Sequence, residues 1–255
     1  MYIQPLKADY ETYEAIAKRY GAGFELLELS APPCMWNEMA AEEFVSFYSN
    51  NPLMQSLHGV FIDINPASGD LDFRSLSRKR SHQSCRLAQR LGVKSVVFHS
   101  SCFPNIRGAY MQNWASVCAD FYLELAETYG LKIYLENSAD FDPTPLCTLM
   151  QMVNSEDVKV CLDYGHAFVS RVPIATWFSE LGDNIAYLHL SDNNGSFDDH
   201  LPLGQGKIDW FEADALYRSL ERNVPMTLEV GGPKDIEASF AYLKQNKLFE
   251  EVDRL

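Results

Sequence analysis

Eight short apolar runs, each followed by a stretch long enough for an amphipathic helix, repeat through this chain and leave few folds open to it. The runs lie near residues 2–6, 24–29, 57–63, 94–99, 132–136, 158–163, 185–190 and 225–230. Most are rich in Val, Ile, Leu, Phe and Tyr without clean polar alternation, as expected for parallel strands covered on both faces. Helices are expected between them, near 9–20, 40–49, 71–91, 109–129, 143–154, 174–181, 210–221 and 235–245. Gly21, Gly92, Gly130 and Gly182 follow four of these segments and Pro143 opens another, where helix ends and starts favour those residues. No linker or compositional break interrupts the 255 residues, and at 47% apolar they supply one large core. The reading is a single α/β domain over 1–255, a closed (β/α)8 barrel. An open doubly wound sheet would gather its ligands at one switch point, whereas here chemistry-bearing residues end nearly every run.

Those residues are imidazoles and carboxylates. His58 stands beside Val60-Phe61-Ile62, His99 closes Val96-Val97-Phe98, and His189 closes Ala186-Tyr187-Leu188. Asp163 and His166 form an Asp-x-x-His unit as the chain leaves its run, and Asp198 and His200 form an Asp-x-His unit further on. Glu136 and Glu229 end Ile133-Tyr134-Leu135 and Met226-Thr227-Leu228. Each residue alone is weak evidence. Nine at consecutive carboxyl ends of strands point to a divalent metal, because neutral imidazole and ionised carboxylate are good ligands for first-row ions.

Composition narrows the partners. The formal net charge is −14, and so acidic a surface repels a phosphate backbone, which argues against a protein that grips nucleic acid broadly. The six cysteines show no Cys-x-x-Cys spacing and sit mostly in apolar or helical stretches, as inert thiols in a reducing compartment do. Met1-Tyr2-Ile3-Gln4-Pro5 lacks the basic-then-apolar order of a signal peptide, and no run approaches a membrane span. A cytoplasmic protein with no membrane partner is expected.

At these residues the chain resembles the xylose-isomerase-like TIM barrel superfamily, which includes sugar isomerases, epimerases and endonuclease IV. The most specific stretches are 57–66, Leu162-Asp163-Tyr164-Gly165-His166, and the block from His189 through Asp198 and His200 to Trp210. In the isomerase and epimerase branch, the resemblance implies one ion held by Glu136, Asp163, His189 and Glu229, with Glu136 and Glu229 also acting as acid and base on opposite faces of a sugar. In the endonuclease branch it implies up to three zinc ions. His58, His99 and Glu136 would hold one, the first four residues a second, and His166, Asp198 and His200 the third. All nine are present, so the ion count stays open, with zinc, manganese, cobalt and magnesium all compatible with the donors.

The endonuclease also needs loops that bend DNA and expel a nucleotide, and this chain has short βα loops. The favoured expectation is therefore a metal-dependent isomerase or epimerase of a small carbohydrate. The alternatives are a related dehydratase or lyase and a multi-zinc phosphodiesterase. A proton must leave carbon beside a carbonyl, which needs one carboxylate to take it, another to return it, and a polarised oxygen. His166, Asp192, Asn193, Arg107, Lys207 and Trp210 are candidate substrate contacts, and Glu28, at the end of the second run, is a weaker one. Arg171 is a further rim cation. Phe61, Phe103, Tyr110, Trp114, Tyr164 and Trp210 are aromatics that could stack on a sugar face. Barrels of this kind often form homo-oligomers, although no interface can be read from the sequence.

Overall fold

The computed structural model describes residues 1–105 and 107–250; the last five residues of the expected 1–255 domain lie outside them. Eight parallel strands follow one another around a closed barrel. They are β1 (Tyr2–Ile3), β2 (Gly23–Leu26), β3 (Met54–His58), β4 (Ser95–His99), β5 (Lys132–Glu136), β6 (Val158–Asp163), β7 (Ile185–Leu190) and β8 (Met226–Leu228). β8 closes the ring by pairing with β1. The outer helices are α1 (Tyr10–Tyr20), α2 (Glu38–Tyr48), α3 (Leu71–Leu91), α4 (Ala109–Tyr129), α5 (Thr144–Val153), α6 (Tyr164–Val169), α7 (Ile174–Leu181), α8 (Trp210–Arg218) and α9 (Pro233–Asn246). The closed eightfold barrel is the fold expected.

The helix ends follow local chemistry. The Asp70 carboxylate accepts the backbone N–H groups of Asp72 and Phe73 at 3.0 Å each and starts α3; such a cap contributes about 1 kcal/mol. Gly92 stops α3 in the left-handed conformation at φ 74°, which costs a residue without a side chain little.

Two apolar compartments hold the fold together. The larger lies between strands and helices and includes the fully buried Trp114, Trp177 and Trp210. The smaller fills the barrel itself with Val97, Tyr134, Cys161 and Tyr187. Side chains in a strand return to the same face every second residue. His99, Glu136, Asp163 and His189 therefore stand one inward pleat above that floor. Pairing aligns them: His99 lies opposite Glu136, and Asp163 opposite His189.

Four strands differ from their sequence reading; the last, expected at 225–230, runs Met226–Leu228, so Glu229 follows it. The third was expected at 57–63 but runs Met54–His58. Its inward Ser56 is hidden by a hydroxyl contact with Ser95 at 3.0 Å, so a polar residue occupies a buried strand position. At Gly59 the chain turns over the Phe98 ring, which would lie 2.3 Å from an added Cβ. Val60-Phe61-Ile62 thus belongs to the following loop, and His58 ends its strand instead of opening it. β1 stops at Ile3 and β2 at Leu26, so Gln4 and Glu28 lie past their strands. Immediately after β6, α6 is an extra helical turn and a half capped by Asp163, whose side chain accepts from the His166 N–H.

Candidate metal centre

The carboxyl ends of β3, β5, β6, β7 and β8 aim their terminal side chains at one point. Ligand atoms of Glu136, Asp163, His189 and Glu229 all lie within 4.8 Å of one another, as do those of His58, Glu136 and His189. His189 Nδ1 is 2.7 Å from Glu229 Oε2 and 3.4 Å from Glu136 Oε2. His58 Nε2 is 3.3 Å and His99 Nε2 is 3.7 Å from that same Glu136 oxygen. A third group, His166, Asp198 and His200, meets the same proximity criterion nearer to solvent. Eight of the nine residues picked out as metal ligands fall in these groups; His99 lies beside Glu136 but in none of them, and His189 takes the place expected of His99 with His58 and Glu136.

The donors fit a cation on two counts. First, both carboxylate oxygens of Glu136, Oδ2 of Asp163, Oε2 of Glu229 and both ring nitrogens of His189 are buried without a hydrogen-bond partner. Orphaned buried polar atoms are costly, and a bound divalent ion would satisfy several together. Second, the other histidines have their ligand atoms selected for them. Nδ1 of His58 lies 2.9 Å from the Gly59 carbonyl, that of His166 2.8 Å from the Asn137 carbonyl, and that of His200 2.6 Å from the Glu229 carbonyl. A carbonyl only accepts, so each Nδ1 carries the proton when the ring is neutral and each Nε2 is left to bind metal. This buried cluster can hold a metal ion.

The electrostatics agree. Burial alone would raise the Glu136 pKa, yet the charge of His189 and the contact with His166 hold it well below the usual carboxylate range. Glu229, opposed by burial and helped by His189, comes down to about 2. Asp163 goes the other way, to about 6, because burial and the neighbouring Glu136 and Glu229 charges outweigh the help from His166. Burial pushes His99 down to about 4, so its imidazole is neutral and available as a ligand. Three carboxylates crowd against histidines that must be charged to balance them, and a divalent ion can replace those protons.

Several expected substrate contacts are committed elsewhere. Asp192 accepts the backbone N–H groups of Gly204 and Ile208 and the Trp210 indole N–H, the last at 2.9 Å. Asn193 donates to the Gly165 carbonyl and accepts the Gly195 N–H. Asp192, Asn193 and Trp210 are buried, and their hydrogen bonds build the loop that carries Asp198 and His200. Arg107 pairs with Asp142 at 2.8 Å. Lys207 lines a cavity of about 250 Å³ with Arg171, Phe168 and Ile174, and none of the cavity's lining residues belongs to the ligand groups. Glu28 accepts the Lys7 N–H and the Tyr48 hydroxyl, which pins the loop after β2. Of the aromatics, Trp114, Tyr164 and Trp210 are buried in the core, whereas Phe103 and Tyr110 are exposed. Phe61 packs 5.2 Å from the His58 ring and 5.0 Å from the His99 ring, beside the ligands.

Two residues at the centre have no place in the sequence reading. Glu25 on β2 is completely buried, with Oε1 3.1 Å from His189 Nε2 and Oε2 accepting the Tyr187 hydroxyl at 2.7 Å. Gln4 donates from Nε2 to Glu25 at 3.1 Å and to Glu229 at 3.0 Å. The available signal was a single glutamate inside Phe24-Glu25-Leu26-Leu27, since a charged residue in a strand covered on both faces must point into the barrel.

Comparison with known proteins places this geometry. An uncharacterized protein of Methanocaldococcus jannaschii is 28% identical over 201 residues, covering 74% of this chain and 68% of that protein. Fructoselysine 3-epimerase of Escherichia coli O157:H7 is 28% identical over 112 residues, 41% of this chain and 39% of the enzyme. The crystal structure of a D-tagatose 3-epimerase-like protein superposes with a TM-score of 0.79 at 22% identity, covering 96% of this chain and 95% of the other. The family described as xylose isomerase-like TIM barrel matches residues 15–246, and to that family the chain belongs.

Proposed function

We propose that this chain is a divalent-metal-dependent epimerase or isomerase of a small carbohydrate, with Glu136 and Glu229 as its proton-transferring pair. The observation that carries the reading is the convergence of Glu136, Asp163, His189 and Glu229, all buried, with carboxylate and imidazole atoms left unpartnered at the mouth of the barrel. The fructoselysine 3-epimerase relative and the D-tagatose 3-epimerase-like fold support the choice of chemistry.

A divalent ion at this site would polarise a substrate carbonyl and offset the negative charge that develops on its oxygen. The residues supply the rest. Glu136 and Glu229 are both held ionised at neutral pH, so either can accept the proton on carbon beside the carbonyl. They leave strands three apart in the ring, and so reach the substrate from different sides. Inversion requires the second carboxyl to have taken up a proton of its own before it acts: it gives that proton to the opposite face of the carbon while the first keeps the one it removed. Return of the removed proton by the first to the neighbouring carbon, with the hydroxyl proton passing to the former carbonyl oxygen, would give an isomer. Asp163 and His189 hold the centre without transferring protons. Phe61, exposed enough to be reached beside His58 and His99, offers a sugar an apolar wall.

The test is solvent exchange. Zinc-, manganese- or cobalt-loaded protein is incubated with a panel of ketoses in deuterium oxide, and label at the carbon beside the carbonyl is read by NMR. Label is expected with wild type and lost in Glu229→Gln, with the fold retained. Full exchange in that variant removes Glu229 from the mechanism.

The multi-zinc phosphodiesterase reading keeps one specific support, the outer group of His166, Asp198 and His200. Against it stand the acidic chain and the commitment of Arg107 to Asp142. Two or three tightly held zinc ions, with hydrolysis of a simple phosphodiester and no exchange on any ketose, would decide for it.

A further inference from the structure

The two proposed proton carriers are held differently. Neither oxygen of Glu136 has a hydrogen-bond partner, whereas in Glu229 only Oε2 lacks one. Oε1 of Glu229 accepts from Gln4 Nε2 at 3.0 Å, and the same nitrogen donates to Glu25 Oε1 at 3.1 Å. An amide nitrogen has two protons, and each is spent on a carboxylate. The orientation of the Gln4 amide is chemically forced, because its oxygen could only repel two ionised acceptors. Glu25 is a fixed anchor: its other oxygen accepts the Tyr187 hydroxyl at 2.7 Å and the Thr227 hydroxyl at 3.2 Å. Its Oε1 also lies 3.1 Å from His189 Nε2, on the side of that ring away from Glu229.

Resting on the metal reading of the site, we propose that Gln4, anchored by Glu25, is a positioning residue that ties down one oxygen of Glu229 and makes it bind the ion through Oε2 alone. The neighbouring Glu136 has no such amide donor; its oxygens face imidazoles, Oε1 at 3.1 Å from His166 Nδ1 and Oε2 at 3.3 Å from His58 Nε2 and 3.4 Å from His189 Nδ1. The hydrogen-bonded oxygen of Glu229 is the weaker base, so the clamp also selects which atom meets metal and substrate. Partners outside the ligand set are known to orient ligands in this way, and their loss typically costs about 10–100-fold in metal affinity.

The experiment is a cobalt(II) titration of the whole protein, followed by visible absorption. Gln4→Met keeps the volume of a half-buried side chain but removes both donors. It is expected to free Oε1, add a donor to the cobalt, lower the absorbance per bound ion by about twofold and weaken affinity about tenfold. Glu25→Gln is the second variant. It leaves an acceptor for the Gln4 amide but removes the charge beside His189, so affinity is expected to fall while the absorbance per bound ion stays that of wild type; an absorbance lowered as in Gln4→Met would overturn the assignment of that change to the Gln4 donors. A Gln4→Met protein with wild-type spectrum and affinity overturns the clamp while leaving the metal site standing. A wild-type protein that binds no cobalt overturns the metal reading and the clamp with it.

Discussion

The inner and outer ligand groups are built from the same two residue types and solve opposite electrostatic problems. In the inner group, Glu136 and Asp163 are fully buried and Glu229 nearly so against His189 and His58, and many of their atoms lack partners. In the outer group, Asp198 Oδ2 takes both His166 Nε2, at 3.1 Å, and His200 Nε2, at 2.8 Å. Each of those rings uses its other nitrogen on a backbone carbonyl. The outer group is complete with its own protons; the inner group has more carboxylate than imidazole can balance. A metal entering either group displaces protons, but in the inner group it also supplies partners to buried atoms that have none.

The largest effect that tests this contrast is expected from His189→Ala. It removes the one nitrogen that touches both Glu136 and Glu229, so tightly bound metal and turnover should fall together to background. His58→Ala is expected to cost far less activity, since His58 contacts Glu136 alone among the carboxylates of the inner ion group. Elemental analysis and exchange rates of the two variants give the answer. Equal losses would mean that the inner residues hold two ions that act as a unit.

Metal should also stabilise the fold through the inner group. Zinc at about 100 times its dissociation constant adds roughly 2.7 kcal/mol, and thermal unfolding with and without chelator would report it. The gain should vanish in Glu136→Gln, at a residue that with His189 is shared by both buried clusters, and persist in His200→Ala. Loss of the gain in both variants would erase the distinction between the groups.

Asp140 sharpens the comparison because it is a buried carboxylate outside every ligand group. Its Oδ2 accepts the Ser100 hydroxyl at 2.7 Å and the Ser138 N–H at 3.1 Å. Burial nevertheless pushes its pKa up to about 6, above the ordinary 3.8. A folded-state pKa raised in this way gives stability that is full below about pH 4 and is lost as pH rises through about 6. Asp140→Asn should remove that loss. At roughly 1.4 kcal/mol per pKa unit, the variant should be up to about 3 kcal/mol more stable than wild type above pH 6 and no more stable below pH 4. Denaturant curves at the two pH values check the sign.

How much of this was legible in the chain depended on whether the signal was local. β4 to β7 and the helices α3, α4 and α7 lie where apolar runs, caps and glycines place them, because those signals sit within each element. The candidate ligands were legible because His58, His99, Glu136, Asp163, His189 and Glu229 stand at or next to strand ends, while His166, Asp198 and His200 form Asp-x-x-His and Asp-x-His units. β3 was misplaced because Ser56, buried against Ser95, reads as polar, while Val60-Phe61-Ile62 reads as strand. Asp192, Asn193 and Trp210 read as site residues, yet their partners are one another and Gly204, Ile208, Gly165 and Gly195. Gln4 and Glu25 were missed for the converse reason. Their role exists only through Glu229 and His189, more than 150 positions away in the chain; the one local sign is the charge of Glu25 inside an apolar run, and Gln4 has none.

The smallest effects belong to the outer group, and pH should expose them. Burial alone would lower the His200 pKa, but Asp198 and Glu229 bring it up to about 9, and Asp198 is held far below its ordinary value by both rings. In metal-free protein this ion pairing gives stability that is full below about pH 6.5 and lost as pH rises through about 9. Metal affinity at the outer group must run in the opposite direction. Each histidine that binds gives up a proton, so affinity should rise about tenfold per pH unit for each proton released, until the rings are neutral. Zinc isotherms at about pH 6 and pH 9 should therefore converge on one tight ion at the lower value and show an added weaker one at the higher. Asp198→Asn should abolish that second ion while changing ketose exchange less than tenfold, a barrier change under about 1.4 kcal/mol. A larger loss of exchange would mean that the outer group takes part in the chemistry and that the proton, not the metal, is its stand-in partner only at rest.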